Sequence, residues 1–379
     1  MMNGIKVFLI SLLIMAFAGS IAFASDTRIT TMGGVESILH DNSNIWVLPQ
    51  TITKYSNLLT GEIDSRSGLY SVGGNYAIGS GVLGLYLNNT DLESFFAPEV
   101  DDSIDTYDQK IDLFYGWDMN GTVLGGHLSY YGNSHEMDAN NDKSIQSVTG
   151  FGIDLGATFA ENLELAFNYK MVTWTYENAN ADMITEPKGN SEFGLGGRYW
   201  IEMSSSYTIV PYAGFTKFGE GIKRANHDEW TVSGLAINLG IGNNMNIDDN
   251  ILAVTDIGFA YEKATFKHDR DERSDEENAS GVKYPYFKLG LEAELTSWMD
   301  FRMGVSKSWI GEFDEDNNGK DTEMWGYADT DLFLGTAFHF GNLDIDAQID
   351  PKFLTRGPNF ISGQSGNLAS RISLKYIWD

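Results

Sequence analysis

The 379-residue chain contains no cysteine. That absence excludes disulfides, thiolate metal sites and anchoring through a lipidated N-terminal cysteine. Proline is scarce, 7 residues against 41 glycines, which leaves long backbone ladders uninterrupted. Beyond the N-terminus no apolar run approaches the ~20 residues of a spanning helix, so no membrane helix is expected. Positive charge is also short: 25 Lys and Arg stand against 53 Asp and Glu, for a net charge of −28. Such a surface repels nucleic acid, and no nucleic-acid partner is expected. The six histidines are scattered without metal-ligand spacing, and no cofactor is expected.

What is present begins with an address. Lys6 supplies a positive n-region, Val7 to Phe17 is almost wholly apolar, and Ala22-Phe23-Ala24 forms a small-x-small cleavage site before Ser25. Residues 1–24 therefore read as a signal peptide. The 22 Phe, 18 Tyr and 9 Trp fit strands that carry aromatic girdles at two membrane interfaces.

Alternation of apolar and polar positions recurs along the whole chain. Leu163, Leu165, Phe167, Tyr169 and Met171 fall on one face of a segment whose other face carries Glu164, Asn168 and Lys170. Phe287, Leu289 and Leu291 against Lys288 and Glu292, and Leu343, Ile345 and Ala347 against Asp344 and Asp346, repeat the pattern. A soluble β-sandwich also alternates, but its dry core does not hold so many unpaired carboxylates. The expected fold is all-β: a transmembrane antiparallel up-and-down β-barrel with outward aliphatics, inward charges, short periplasmic turns and long acidic external loops, placing the protein in the cell outer membrane.

Turns set the strand count. Short connections near Gly79-Ser80, Asn120-Gly121, Glu161-Asn162, Ser204 to Ser206, Asn243 to Asp249, Ser297-Trp298 and Gly341-Asn342 alternate with polar stretches at 89–106, 133–144, 177–189, 219–229, 268–281, 312–326 and 352–366. With a first strand at 52–63 and a last at 367–378, about sixteen strands are expected, fourteen being the alternative. The division is 1–24 signal, 25–51 periplasmic or plug segment, and 52–379 barrel. Ile372, Leu374, Tyr376 and Trp378 resemble the C-terminal assembly signal of outer-membrane barrels, although Asp379 follows the aromatic. That resemblance implies periplasmic chaperones and the barrel-assembly machinery as partners, beside outer-membrane lipid.

The segment before the first strand reads R-I-T-T-M-G-G-V-E-S-I-L-H-D-N-S-N-I-W-V-L-P-Q-T-I-T-K-Y from Arg28 to Tyr55. Gly33-Gly34, then Asp41, Asn42 and Asn44, then Pro49, resemble the N-terminal segment of the FadL-type hydrophobic-compound transporters, with Leu48-Pro49-Gln50 in place of the family's Asn-Pro-Ala. The resemblance implies a barrel plugged by this segment and a hydrophobic or other small-molecule cargo.

The inward charges Lys110, Asp112, Asp154, Glu164, Lys170, Arg198, Lys288, Glu292, Glu294, Arg302, Asp344, Asp346, Arg371 and Lys375 are the expected lumen lining. A water-filled lumen so lined describes a cation-preferring diffusion porin; a plugged one describes an uptake channel; and a barrel serving as scaffold for a surface-bound or exported partner is the third reading. Trp174, Tyr176, Tyr199, Trp200, Trp309 and Trp325 near the outer ends are read as an interfacial girdle, a lined pocket for apolar cargo being the alternative. Asp314, Asp316 and Asn318 match the opening of an EF-hand loop, but Trp325 stands where the bidentate Glu belongs, so at most a weak loop-bound calcium is expected there. His127 and Ser129 form an isolated H-x-S pair. No catalytic residue is assigned, and the chain is not expected to be an enzyme.

Overall fold

A computed structural model describes residues 27–64, 69–88, 109–139, 142–178, 185–187, 190–224, 229–270, 273–316, 321–350 and 369–378. Residues 1–24, expected above to be a signal peptide, lie outside them, as does Asn318; the side chains of Asp314, Asp316, Trp174, Tyr176 and Trp325 are likewise outside the description.

The strands are β1 Leu58–Asp64, β2 Leu69–Ile78, β3 Gly81–Leu87, β4 Gln109–Asp118, β5 Thr122–Ala139, β6 Asp142–Phe159 and β7 Leu163–Asn178. They continue with β8 Thr185–Pro187, β9 Ser191–Tyr199, β10 Ile201–Ser204, β11 Tyr207–Arg224, β12 Glu229–Asp248 and β13 Ile251–Arg270. The remainder are β14 Arg273–Thr296, β15 Met299–Asp316, β16 Asp321–Phe340, β17 Leu343–Ile349 and β18 Ala369–Ile377. Segments β8, β9 and β10 are successive pieces of one strand between β7 and β11, so sixteen strands stand side by side, each antiparallel to its neighbours. The first pairs with the last, Leu58 opposite Ile377 through Asp64 opposite Arg371, which closes the barrel and leaves no edge.

Side-chain direction follows the expected alternation. Along β4, Ile111, Leu113, Tyr115 and Trp117 are exposed on the outer wall, while Asp112 and Phe114 between them are fully buried. A closed barrel with an apolar outer band and a polar interior is a membrane-spanning one. The fold is a closed, membrane-spanning β-barrel, as the alternation of residues and the resemblance to FadL-type transporters implied.

Three boundaries differ from expectation. The first strand starts at Leu58, because Pro49 opens a 3₁₀ turn, Pro49–Lys54, that holds Ile52 inside the barrel. The stretch Asn243 to Asp248 is strand, paired as far as Asp248 opposite Ile251, and the turn is confined to Asp249-Asn250. Most of 133–144, 268–281 and 312–326 is also strand: β5 runs to Ala139 before β6 begins at Asp142, and β14 begins at Arg273. Above the membrane both faces of a ladder meet water, so acidic side chains do not stop it once register is set below. Trp200 is a further correction. It lies near the periplasmic turn, points inward and is buried; Tyr199 beside it, opposite Leu163, stands at the same end and not the outer one, although it faces outward as Trp309 does.

Inside the barrel lies the N-terminal segment: a helix α1, Thr27–Thr31, and 3₁₀ turns Glu36–Ile38, Asn42–Trp46 and Pro49–Lys54. It touches β3 to β6 with its last turn, β11 and β12 with its first, and β15 to β18 with α1. Reaching so many strands through their inward faces requires that it lie within the lumen.

Candidate functional site

The segment is shaped by local chemistry. Gly33 and Gly34 hold φ of +90° and +73°, a left-handed conformation that side chains resist. This reverses the chain after α1, with Gly34 N–H donating to the Ile29 carbonyl at 3.0 Å. Asp41 caps the second 3₁₀ turn: its carboxylate accepts from the backbone N–H of Ser43 at 3.0 Å, and Asn44 Oδ1 accepts in return from the Asp41 N–H at 3.1 Å. Asn42 is buried in the same turn, and Pro49 occupies the start of the third.

Barrel glycines give the segment its seat. Gly116, Gly125 and Gly156 stand opposite one another on β4, β5 and β6. A Cβ on Gly125 would overlap the backbone of Gln50, and one on Gly116 would lie 2.8 Å from Thr53 Cγ2. Across the lumen, Gly290 and Gly304 pair on β14 and β15, and a Cβ on Gly290 would meet the Met32 carbonyl at 2.6 Å. One on Gly304 would overlap Gly33. Ile29, Met32, Val35 and Ile38 then pack with Val210, Tyr212 and Val254, while Ile45 and Ile52 pack with Val82, Tyr86 and Phe114.

Two ion-pair networks bind the segment to the wall. In the first, Arg198 donates Nε to Glu164 (2.5 Å), Nη1 to the carbonyls of Glu36 (3.0 Å) and Leu39 (3.3 Å), and Nη2 to Asn44 Oδ1 (3.0 Å). Lys54 Nζ reaches the other oxygen of Glu164 at 3.1 Å, and Trp200 Nε1 donates to Glu164 at 3.0 Å. In the second, Arg28 grips Glu292 through two 2.7 Å bonds and contacts Asp41 at 3.4 Å. Glu292 also accepts from Arg302 at 2.6 Å; Arg302 continues to Asp346, and Asp346 to Lys375 at 3.1 Å. Separately, Lys288 donates to the Gly34 carbonyl and Asn244 to that of Ile38, each at 2.6 Å.

The other expected lumen residues lie around these networks. Lys110 pairs with Asp112 at 3.3 Å; His127 bridges Asp112 at 2.9 Å and Asp154, stacks on Phe114 and meets the edge of Trp46. Both His127 ring nitrogens are thus engaged by carboxylates rather than by Ser129. Lys170 stands across from Glu192 on the next strand. Arg371 pairs with Asp64 at 3.2 Å beside the barrel seam. Asp344 contacts His339, which also reaches Asp300, near the periplasmic end. Glu294 is exposed at that end, apart from both networks.

Sequence reasoning missed the glycine seats, His127 as a bridge, Lys54, and Asn75, whose amide donates to the Tyr55 carbonyl at 2.9 Å. The signal for the glycines was their inward parity, which register alone turns into a shelf.

No protein-family model and no curated relative matches the chain. Among solved structures, it is similar to the toluene transporter TodX of Pseudomonas putida, at 9% identity and a TM-score of 0.41, over 93% of this chain and 96% of that one. It is also similar to the CymD monoaromatic hydrocarbon channel, at 11% identity and a TM-score of 0.40, over 95% and 98%. The alcaligin receptor FauA of Bordetella pertussis matches at 9% identity and a TM-score of 0.39, over 84% and 74%. At these levels no residue role passes from those proteins to this one.

Proposed function

We propose that the protein is an outer-membrane uptake channel whose lumen is closed on the periplasmic side by residues 27–57, and that it admits small molecules with an apolar body and a polar group. The observation that carries this reading is the double anchoring of the segment, by Arg198 on one wall and by Glu292 and Arg302 on the other, over glycine seats that leave it no clearance. A lumen so filled does not suit an open, cation-preferring porin. The cargo class rests on the resemblance of residues 28–55 to the N-terminal segment of the FadL-type hydrophobic-compound transporters.

Proteoliposomes test the transport reading against the other two. Intact protein is expected to speed entry of an alkyl-chain solute bearing a fixed sulfonate while excluding small sugars. Sugar entry through intact protein would identify a diffusion porin. Rates equal to those of empty liposomes for both solutes would leave a scaffold.

A further inference from the structure

We propose that the outer wall of β11 and β13 carries a binding site for the phosphate of an outer-leaflet lipid, built on Lys217 and Lys263. Both side chains point away from the lumen and are exposed. They stand on one rung, each directly opposite Leu235 of the intervening β12, so their backbones lie about 10 Å apart, two strand spacings. That spacing lets two flexible ammonium groups converge on one phosphate-bearing headgroup.

Height places the pair where headgroups are. Lys217 is ten residues beyond Tyr207, the start of β11, and Lys263 twelve beyond Ile251, the start of β13. With a rise of about 3.3 Å per residue and a tilt of about 40°, these positions lie roughly 25 and 30 Å above the periplasmic turns, at the outer edge of an apolar band about 25 Å tall. Outward aromatics sit just beneath: Phe215 precedes Lys217 by one outward position and packs on Phe193 with ring centroids 5.7 Å apart, and Tyr261 precedes Lys263. An aromatic followed by a lysine is the interfacial arrangement in which the stem lies along apolar surface and the charge emerges among headgroups.

Charge complementarity selects the occupant. In a chain of net charge −28, an exposed lysine normally finds an acid. Lys267, higher on β13, does so: it pairs with Asp269 at 2.7 Å and stands opposite Glu276. The outward neighbours of Lys217 and Lys263 are instead Phe193, Leu235 and Ser280, and among the described residues neither ammonium has an acidic partner. The protein leaves these two charges for a group outside itself.

The test reconstitutes the refolded barrel in phosphatidylcholine vesicles containing diphosphorylated lipid A and measures lipid A retained per barrel after mild detergent extraction. Wild type is expected to retain it, each Lys→Ala change to weaken retention about 5-fold, and the K217A/K263A pair roughly 25-fold. Lys267→Ala is expected to leave retention unchanged, and the K217R/K263R pair to preserve it. Equal retention by wild type and K217A/K263A would overturn the proposal, as would an equal loss on Lys267→Ala. If K217A/K263A fails the heat-modifiability test of folding, K217Q/K263Q replaces it under the same criteria.

Discussion

Arg198→Ala is expected to free the N-terminal segment while leaving the barrel closed. The guanidinium joins four segment and wall acceptors at once, and its loss leaves Glu164, which is fully buried, with Lys54 and Trp200 as its partners among the described residues. Removing one member of a buried pair costs about 3–5 kcal/mol, here charged against seating of the segment, since the strand ladders on either side of Arg198 are unaltered. The absence of cysteine makes the readout clean. Ser43 is fully buried in the second 3₁₀ turn, so a Ser43→Cys reporter reacts with a maleimide only when the segment leaves its place. Labelling of that reporter is expected to rise roughly 150- to 5,000-fold in the Arg198→Ala background. An unchanged rate would show that Arg198 does not hold the segment down.

Gly125→Val is expected to act more severely and through sterics alone. Its side chain would occupy the space of the Gln50 backbone, and a turn opened by Pro49 has little freedom to retreat. Overpacking ordinarily costs about 1–3 kcal/mol through small shifts, but here the collision is with main chain, so ejection of the third 3₁₀ turn is the expected relief. The adjacent Gly126 is the control. It faces outward, and a Cβ there meets nothing nearer than Leu155 Cδ2 at 3.9 Å. Gly126→Ala is therefore expected to match wild type in trypsin resistance at Lys54, whereas Gly125→Val is cleaved there with the barrel still heat-modifiable. Equal resistance of the two variants would mean that the glycine row is not a seat.

These contrasts show how much was legible in the chain. Inward and outward residues of β4, β7 and β14 were readable because a period of two survives without knowledge of partners. The strand count followed from the turns. Gly116, Gly125 and Gly156, by contrast, are unremarkable in isolation and become a shelf only when three strands align in register. The pairing of Arg28 with Glu292 joins residues 264 positions apart, a distance over which local pattern carries no information. Asp41 and Asn44 were noticed through their resemblance to a family motif, and the physical reason for the motif is a capping box. The acidic stretches misled because acidity was equated with loop, while a solvated ladder tolerates it.

The measurement that bears most directly on the closed lumen is single-channel conductance of the refolded mature protein in a planar bilayer, compared with a form lacking residues 27–54. The account predicts silence from the intact protein and steady, cation-selective steps after deletion, because the exposed wall would then present Asp112, Glu164, Glu292 and Asp346 to water. Large steady steps from the intact protein would contradict it.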